Sequence, residues 1–371
     1  MVGEDKEMIV YLALFCLICL FYIYPYMHKN SEQSIKIYLF VSFFAMALVV
    51  GLRPMHVGED TNHYVHIFNQ AQYLSWREVI PIPGLRTPYY TDVTGYTDTI
   101  ESGWLFLCKL IQIFTMNAQI YLLIIALLTF FLVAKFIYEN CDGDVFLSTL
   151  VVLCESFFMN SFNGMRQLFA VAITLQAYTM FKRKRDIQGV GYILLGMCFH
   201  NVSIAGGVLY PILKIKKKNY REIFKYIMVI SLMFPVIIFC LKNVIAYFFP
   251  RYGAYFTDNY WEVQLGGSAI FLLVECIFVL VMYRYSFSKG ADAFALSVLA
   301  LLNVAMIIGA LEMSILERAG FFYRIYLVLF FPTALKYFDE KSKRVIFLII
   351  FILLFLFYLS YAKTPWRINY I

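Results

Sequence analysis

Long apolar runs recur from one end of the 371-residue chain to the other. Several approach the roughly 20 residues that a helix needs to cross the hydrocarbon of a bilayer. Nothing constrains the fold more. Backbone N–H and C=O groups find no water inside a bilayer, so such runs fold as helices whose hydrogen bonds are internal. With 62% hydrophobic and only 15% charged residues, the chain lies far from the soluble average of about 45–50% apolar and about 25% charged. The expected class is an all-α, polytopic integral membrane protein with about ten full transmembrane helices plus re-entrant or short ones. Residues 1–371 read as a single transmembrane domain, with no internal repeat and no soluble domain of usual size.

The first run, 8–27, is too long for a signal-peptide core and lacks a small-residue cleavage site after it. A retained first helix is expected. Further spans are expected at 35–52, 118–138, 145–159, 165–181, 225–249, 267–285, 291–312, 319–337 and 344–361. Cytoplasmic loops accumulate Lys and Arg. That rule puts 28–36, 182–185, 214–218, 283–290 and 336–344 inside. It leaves 251–266, 311–318, the tail 363–371 and both termini outside, with Trp366 and Arg367 as an interfacial anchor. The formal net charge of +7 is read as this orientation signal, not as nucleic-acid binding.

Two stretches depart from simple spans. The piece 102–114 is apolar but short and interrupted by Lys109, which predicts a re-entrant or surface helix. The 27 residues of 187–213 have basic flanks on both sides and cannot cross twice. Two short helices meeting inside the membrane, with a break at His200 and Asn201, satisfy both flanks. A single tilted span is the competing arrangement and violates the charge rule on one side.

The longest polar stretch, 53–100, is expected as an extracytoplasmic (periplasmic) loop inserted within the domain. Pro54, Pro81, Pro83 and Pro88 with Gly58, Gly84 and Gly95 break regular structure there, although 61–78 can form one amphipathic helix. Its start holds Arg53, His56, Glu59, Asp60 and His63 where an apolar helix leaves the bilayer. The bland alternative is a solvated loop. Later segments, however, bring Glu101, Arg166, Arg318 and Arg324 to the same side, with His200 reaching up from below. Ionisable groups in or beside membrane helices are costly and usually mark a polar cavity.

Arg166 follows Asn163 and Gly164 at a helix start, where backbone N–H groups favour anions and a guanidinium adds bidentate bonding. An interfacial arginine is the alternative. Glu317 and Arg324 are seven apart, share a helix face and suit a structural pair. His200 is a candidate base or a histidine bonded to carbonyls freed by the break. His63 and His66, three apart, approach one ion together with Asp60, and His56 is near in sequence. No HExxH occurs, and neither a metal nor a cofactor is expected. Seven of the eight cysteines lie inside apolar runs and Cys141 alone in a loop, a pattern of neither disulfides nor metal.

In order along the chain stand Arg53, then Gly58, Glu59, Asp60, Thr61 and Tyr64, then Glu101, Ser102 and Gly103. Met165, Arg166 and Gln167 follow, then Phe199 and His200, then Arg318, Ala319, Gly320, Phe321 and Phe322. This series resembles the EpsG-type, Wzy-like polysaccharide polymerases over nearly the whole chain. The last motif matches loosely, since a Tyr-Phe pair is usual where Phe322 and Tyr323 stand, which leaves Arg318 and Arg324 both open for its role. The resemblance implies a GT-C-like glycosyltransferase of the bacterial inner membrane with its site facing the periplasm. Its substrate would be an undecaprenyl-diphosphate-linked oligosaccharide, and its product O-antigen, capsule or exopolysaccharide. A chain-length regulator and a flippase are the candidate protein partners.

Transfer from a lipid diphosphate needs cations on the departing group and a base for the acceptor hydroxyl. Arg53, Arg166, Arg318 and Arg324 are candidates for the first, and His200, with Asp60 as second choice, for the base. Glu101 would bind sugar hydroxyls or orient an arginine, and loop tyrosines would stack on sugar rings. Two other functions fit the same charges. A transporter or flippase of lipid-linked sugars usually has related halves, and none is visible; a membrane acyltransferase would depend on an acyl thioester.

Overall fold

The computed structural model describes residues 2–155, 157–248, 268–285, 291–313 and 316–362. The expected loop 251–266 and the tail with Trp366 and Arg367 lie outside them. The architecture is helical apart from one two-stranded hairpin among these residues. Six helical stretches are long and apolar enough to cross a membrane: Met8–Met27, Glu32–Gly51, Ala118–Asn140, Lys217–Val244, Asp292–Ala310 and Glu340–Ser360. Val145–Cys154 and Asp186–Phe199 are shorter apolar helices. The chain is a polytopic, all-α membrane protein. It divides into two compact units, 1–140 with 153–207 and 141–152 with 208–360.

The first unit opens with α1 (Val2–Phe21), α2 (Ile23–Met27) and α3 (Glu32–Gly51). Ser31 starts α3 by accepting the Ser34 N–H at 3.4 Å on its hydroxyl, the ordinary N-cap. After α4 (Thr61–Ala71) come β1 (Arg86–Thr91) and β2 (Thr97–Glu101), then α5 (Ser102–Gln112) and α6 (Ala118–Asn140). After α7 (Val145–Cys154), which begins in the second unit, the first resumes with α8 (Phe157–Asn160), α9 (Met165–Lys182) and α10 (Asp186–Phe199). Packing runs α1 on α3, α3 on α6, α6 on α9 and α9 on α10. Residues 167–181 of α9 are all buried, so this helix is the axis of the unit. Buried donors on it reach backbone carbonyls, Thr174 donating to that of Ala170 in its own helix and Gln176 to that of Leu132 on α6. Trp104 of α5 is fully buried between the rings of Tyr64, Tyr121 and Phe169.

The stretch 53–100 is more ordered than its punctuation predicts. Helix α4 stops at Ala71 rather than continuing to 78, because the ammonium of Lys109 accepts the end: it donates to the carbonyls of Ala71 and Leu74 at 3.2 and 2.6 Å. The charge that interrupts α5 is thus a cap for α4. The strands pair antiparallel, Arg86 opposite Glu101, with a register irregularity between Pro88 and Tyr90. Pro88 sits where the ladder is already broken, the setting in which a strand tolerates proline. Asp92 ties the turn by accepting the N–H groups of Thr94 and Tyr96.

At the far end, α10 stops at Phe199 and the backbone of His200 is extended. A 3-10 turn, Asn201–Val208, then runs back. A methyl group placed on Gly196 would meet Ser203 Oγ at 3.0 Å, and one on Gly206 would meet Thr174 and, at 3.9 Å, Ile193. The chain thus breaks at His200, as expected, and the segment after it approaches α10 at 196 with 203 and at 193 with 206. Gly103 matters for the same region: a Cβ there would lie 2.5 Å from the Cys198 carbonyl oxygen, so only glycine lets the head of α5 touch the end of α10. Gly103→Ala is expected to cost about 1–3 kcal/mol through overpacking. Gly207→Ala, with nothing within 4 Å, is the control. Thermal unfolding in detergent compares the two, and an equal melting temperature would contradict the close approach.

In the second unit, α11 (Leu209–Lys214) and α12 (Tyr220–Phe248) precede α13 (Ser268–Tyr285) and α14 (Ala291–Ala310). Then come α15 (Leu316–Arg324), α16 (Leu327–Leu335) and α17 (Glu340–Ala362). Helix α14 packs against α11, α12, α13, α15 and α16. Two expected spans are interrupted. Residues 145–159 divide into α7 and α8 at the buried Glu155, and 319–337 divides into α15 and α16. Pro332 inside α16 lacks an N–H for the carbonyl of Val328, and Ser148 of α7 supplies the missing donor at 2.6 Å.

Candidate active site

Four chain segments of the first unit meet at the carboxylate of Glu101. Strand β2 ends on Glu101, which is also the residue before α5. Cross-strand register brings Arg86 opposite it, Arg166 is the second residue of α9, and His200 closes α10. Glu101 is 1% exposed. Its Oε2 accepts a hydrogen bond from Arg166 Nη1. Its Oε1 accepts the Asn201 N–H at 3.2 Å and lies 3.5 Å from Arg86 Nη1 and 3.6 Å from His200 Nδ1. Arg86 is itself fixed by donating from Nε to Thr99 Oγ1 at 3.1 Å.

Burial alone would raise the Glu101 carboxyl. The imidazole of His200 beside it and the charges of Arg166 and Arg86 outweigh it and hold the group well below the usual carboxylate range. Glu101 is therefore ionised at neutral pH and serves as an anchor, not as a proton acceptor. A depressed carboxylate contributes stability above its ordinary value of about 4.3 and loses it only as pH falls through the lower folded value. Lowering the pH from about 7 to about 5 is thus expected to leave the cluster and the melting temperature intact, since both lie above that ordinary value. Melting curves across that interval test this, and a steep loss of stability would contradict the ionised anchor.

Two arginines against one carboxylate leave a net positive charge with His200 neutral. At the head of α9, Arg166 Nε and Asn163 Nδ2 are buried and find no acceptor among the described residues. Asn163 is oriented by its Oδ1, which accepts the Glu59 N–H at 2.8 Å. Gly58 makes that docking feasible: its φ is +87°, and a Cβ would lie 2.5 Å from the Phe162 carbonyl oxygen. Buried donors without partners are rare in proteins and mark a place for a ligand or water.

The other sequence-stretch candidates fall in different places. Arg53 is 2% exposed and spends its donors on structure: Nη1 on the Val50 carbonyl at 2.8 Å and Nε on Thr61 Oγ1 at 3.0 Å. It staples the end of α3 to the start of α4. Burial lowers it to about 10, so it remains charged. Asp60 begins α4, half-buried, within electrostatic reach of His63, which in turn feels Asp98 and Arg166. His63 and His66 turn to Tyr89 and Tyr90, and among the described residues no group of three or more His, Cys, Asp and Glu is placed to hold a metal ion.

Arg318 and Arg324 belong to the second unit. Arg318 is exposed on α15, whereas Arg324 is 5% exposed and its Nε lies 3.5 Å from Asn303 Oδ1. Asn303 donates to both oxygens of the buried Glu275, at 3.1 and 3.0 Å. Glu317 is buried and feels the charges of Arg324 and Arg318. Arg86, Asn303 and Glu275 were not legible as site residues. Arg86 had one signal, its place at the head of a Thr/Tyr-rich run that ends at Glu101.

Fold and cluster together define a polytopic helical membrane protein with a cationic site built from a hairpin and the ends of three helices. Residues 36–367, nearly the whole chain, match the sequence profile of the EpsG family, and the chain belongs to that family. EpsG is a Wzy-like, polymerase-type family, which carries a polysaccharide-polymerase kind of function and membrane-bound polysaccharide biosynthesis. No curated protein and no solved structure matches the chain.

Proposed function

We propose that this chain is a glycosyltransferase that moves a growing glycan from undecaprenyl diphosphate onto a lipid-linked oligosaccharide repeat at the periplasmic face of the bacterial inner membrane. The observation that carries the proposal is the pair of buried, unmatched donors on Arg166 and Asn163 beside a net positive cluster. A diphosphate supplies the acceptors and the charge they lack.

In the transfer, an acceptor hydroxyl attacks the anomeric carbon of the donor sugar. The new glycosidic C–O bond forms, the bond to the diphosphate breaks, and the lipid diphosphate leaves with the bonding pair. Arg166 and Arg86 stabilise its charge, so the step needs no metal for neutralisation. Glu101 Oε1 lies 3.6 Å from Nδ1 of His200, which favours the Nδ1–H tautomer and leaves Nε2 to take the hydroxyl proton. Asp60 is the alternative base near His63, and Arg53 holds the start of α4 against the end of α3.

Purified protein given only lipid-diphosphate-linked repeat units is expected to lengthen them, read as a ladder on a gel of released glycans. A transporter would relocate the units without lengthening them, and an acyltransferase would stay idle until given an acyl thioester. Either outcome would overturn the proposal.

A further inference from the structure

The polar face beside the Glu101 cluster is not used by the diphosphate chemistry. Residues three apart on a helix share a face, and His63 and His66 do so on α4. The opposite face of α4 carries Tyr64, Ile67, Phe68 and Ala71 into the core, so the imidazoles turn to the hairpin. There the His66 ring meets Tyr90 edge-on, with centroids 4.8 Å apart and planes at 86°. Tyr89 stands 6.4 Å from His63 and 6.3 Å from His66. Across the hairpin, burial and the Asp98 carboxylate push the Tyr89 hydroxyl above its usual value, so it stays protonated. His63 and Tyr90 are exposed. Both His63 and Tyr89 feel the charge of Arg166, which sets this face at the border of the cluster.

We propose that His63, His66, Tyr89, Tyr90 and Asp98 form a subsite for an uncharged sugar ring of the acceptor glycan. The chemistry fits that ligand and excludes the neighbouring one. A sugar presents C–H faces that pack on aromatic planes and a rim of hydroxyls that pair with imidazole nitrogens and a carboxylate. A diphosphate would be repelled by Asp98 and Asp60 and drawn to the arginines. The two substrates are thereby sorted, the anionic lipid head to Arg166 and Arg86, the neutral ring to α4 and the hairpin. Tyr96, 66% exposed at the hairpin tip, extends the same surface toward further sugars. The subsite rests on the polymerase proposal for its place in a reaction, but not for its existence.

The test uses the full-length protein in detergent and the oligosaccharide released by mild acid from the host's own lipid-linked repeat units. Binding is read by saturation-transfer NMR and calorimetry for wild type, Arg166→Ala, His66→Ala and Tyr90→Ala, with melting temperatures to show that each is folded. Wild type and Arg166→Ala are expected to bind alike, while His66→Ala and Tyr90→Ala each weaken binding about tenfold, the loss of one or two good contacts. In elongation the same two variants raise the acceptor KM by about as much and leave kcat nearly unchanged. Failure of wild type to bind the free oligosaccharide, or equal binding by folded His66→Ala and Tyr90→Ala, overturns the subsite. Binding with no elongation by wild type leaves the subsite standing and removes the polymerase.

Discussion

Glu101→Ala is expected to abolish chain elongation and to destabilise the protein by about 3–5 kcal/mol, the cost of stranding a buried charge without its partner. Two groups lose their counter-charge at once, Arg166 and Arg86, and the imidazole of His200 loses the carboxylate beside it. The Asn201 N–H loses its acceptor as well, and with it the fixed turn after α10. Glu101→Gln separates the two effects. The amide keeps the shape and one acceptor oxygen, so the fold should survive with a smaller loss, while Arg166 and His200 lose the charge that orients them. Thermal unfolding and elongation measured on both variants give the answer, and a Glu101→Ala protein as stable as wild type would show that the carboxylate anchors nothing.

Arg166→Ala is the second large effect. Removing the guanidinium takes away the donor to Glu101 and the buried Nε at the head of α9. Loss of one preorganised donor to a developing anion typically costs about 10²–10³ in rate, and elongation is expected to fall by at least that. Lys is not an adequate replacement, because it offers a point charge where two directions are needed, one to Glu101 and one to the ligand. Arg166→Lys should therefore recover folding more than turnover. Single-turnover elongation with saturating lipid-linked donor reads the effect on the chemical step. An Arg166→Ala protein that elongates at the wild-type rate would remove this residue from the site.

The membrane class was legible because burial in lipid leaves a gross compositional mark, and the break at His200 because two basic blocks stand too close for a double crossing. The convergence of Glu101, Arg166 and His200 was legible only as a shared side of the membrane. What joins them is the contact of Gly103 with Cys198, a close backbone approach that leaves no periodic trace. The β-hairpin escaped notice because Pro88 and Gly95 read as breakers, whereas Pro88 occupies the irregularity and Gly95 a turn of positive φ. Arg86 was lost with it, since its meaning lies in register, not in spacing. Lys109 looked like an obstacle to a membrane helix and is the cap of another. In the second unit, Asn303 and Glu275 stand inside apolar runs where a single polar residue says nothing about its partner until two helices are placed side by side.

The most direct test of the cluster as the place of glycan transfer is elongation by wild type and His200→Ala in liposomes, with binding of the lipid-linked donor measured in parallel. The account predicts that His200→Ala binds the donor normally and elongates it about 10²–10⁴ times more slowly, the usual worth of a positioned base. Elongation by His200→Ala at the wild-type rate, in folded and inserted protein, would contradict it.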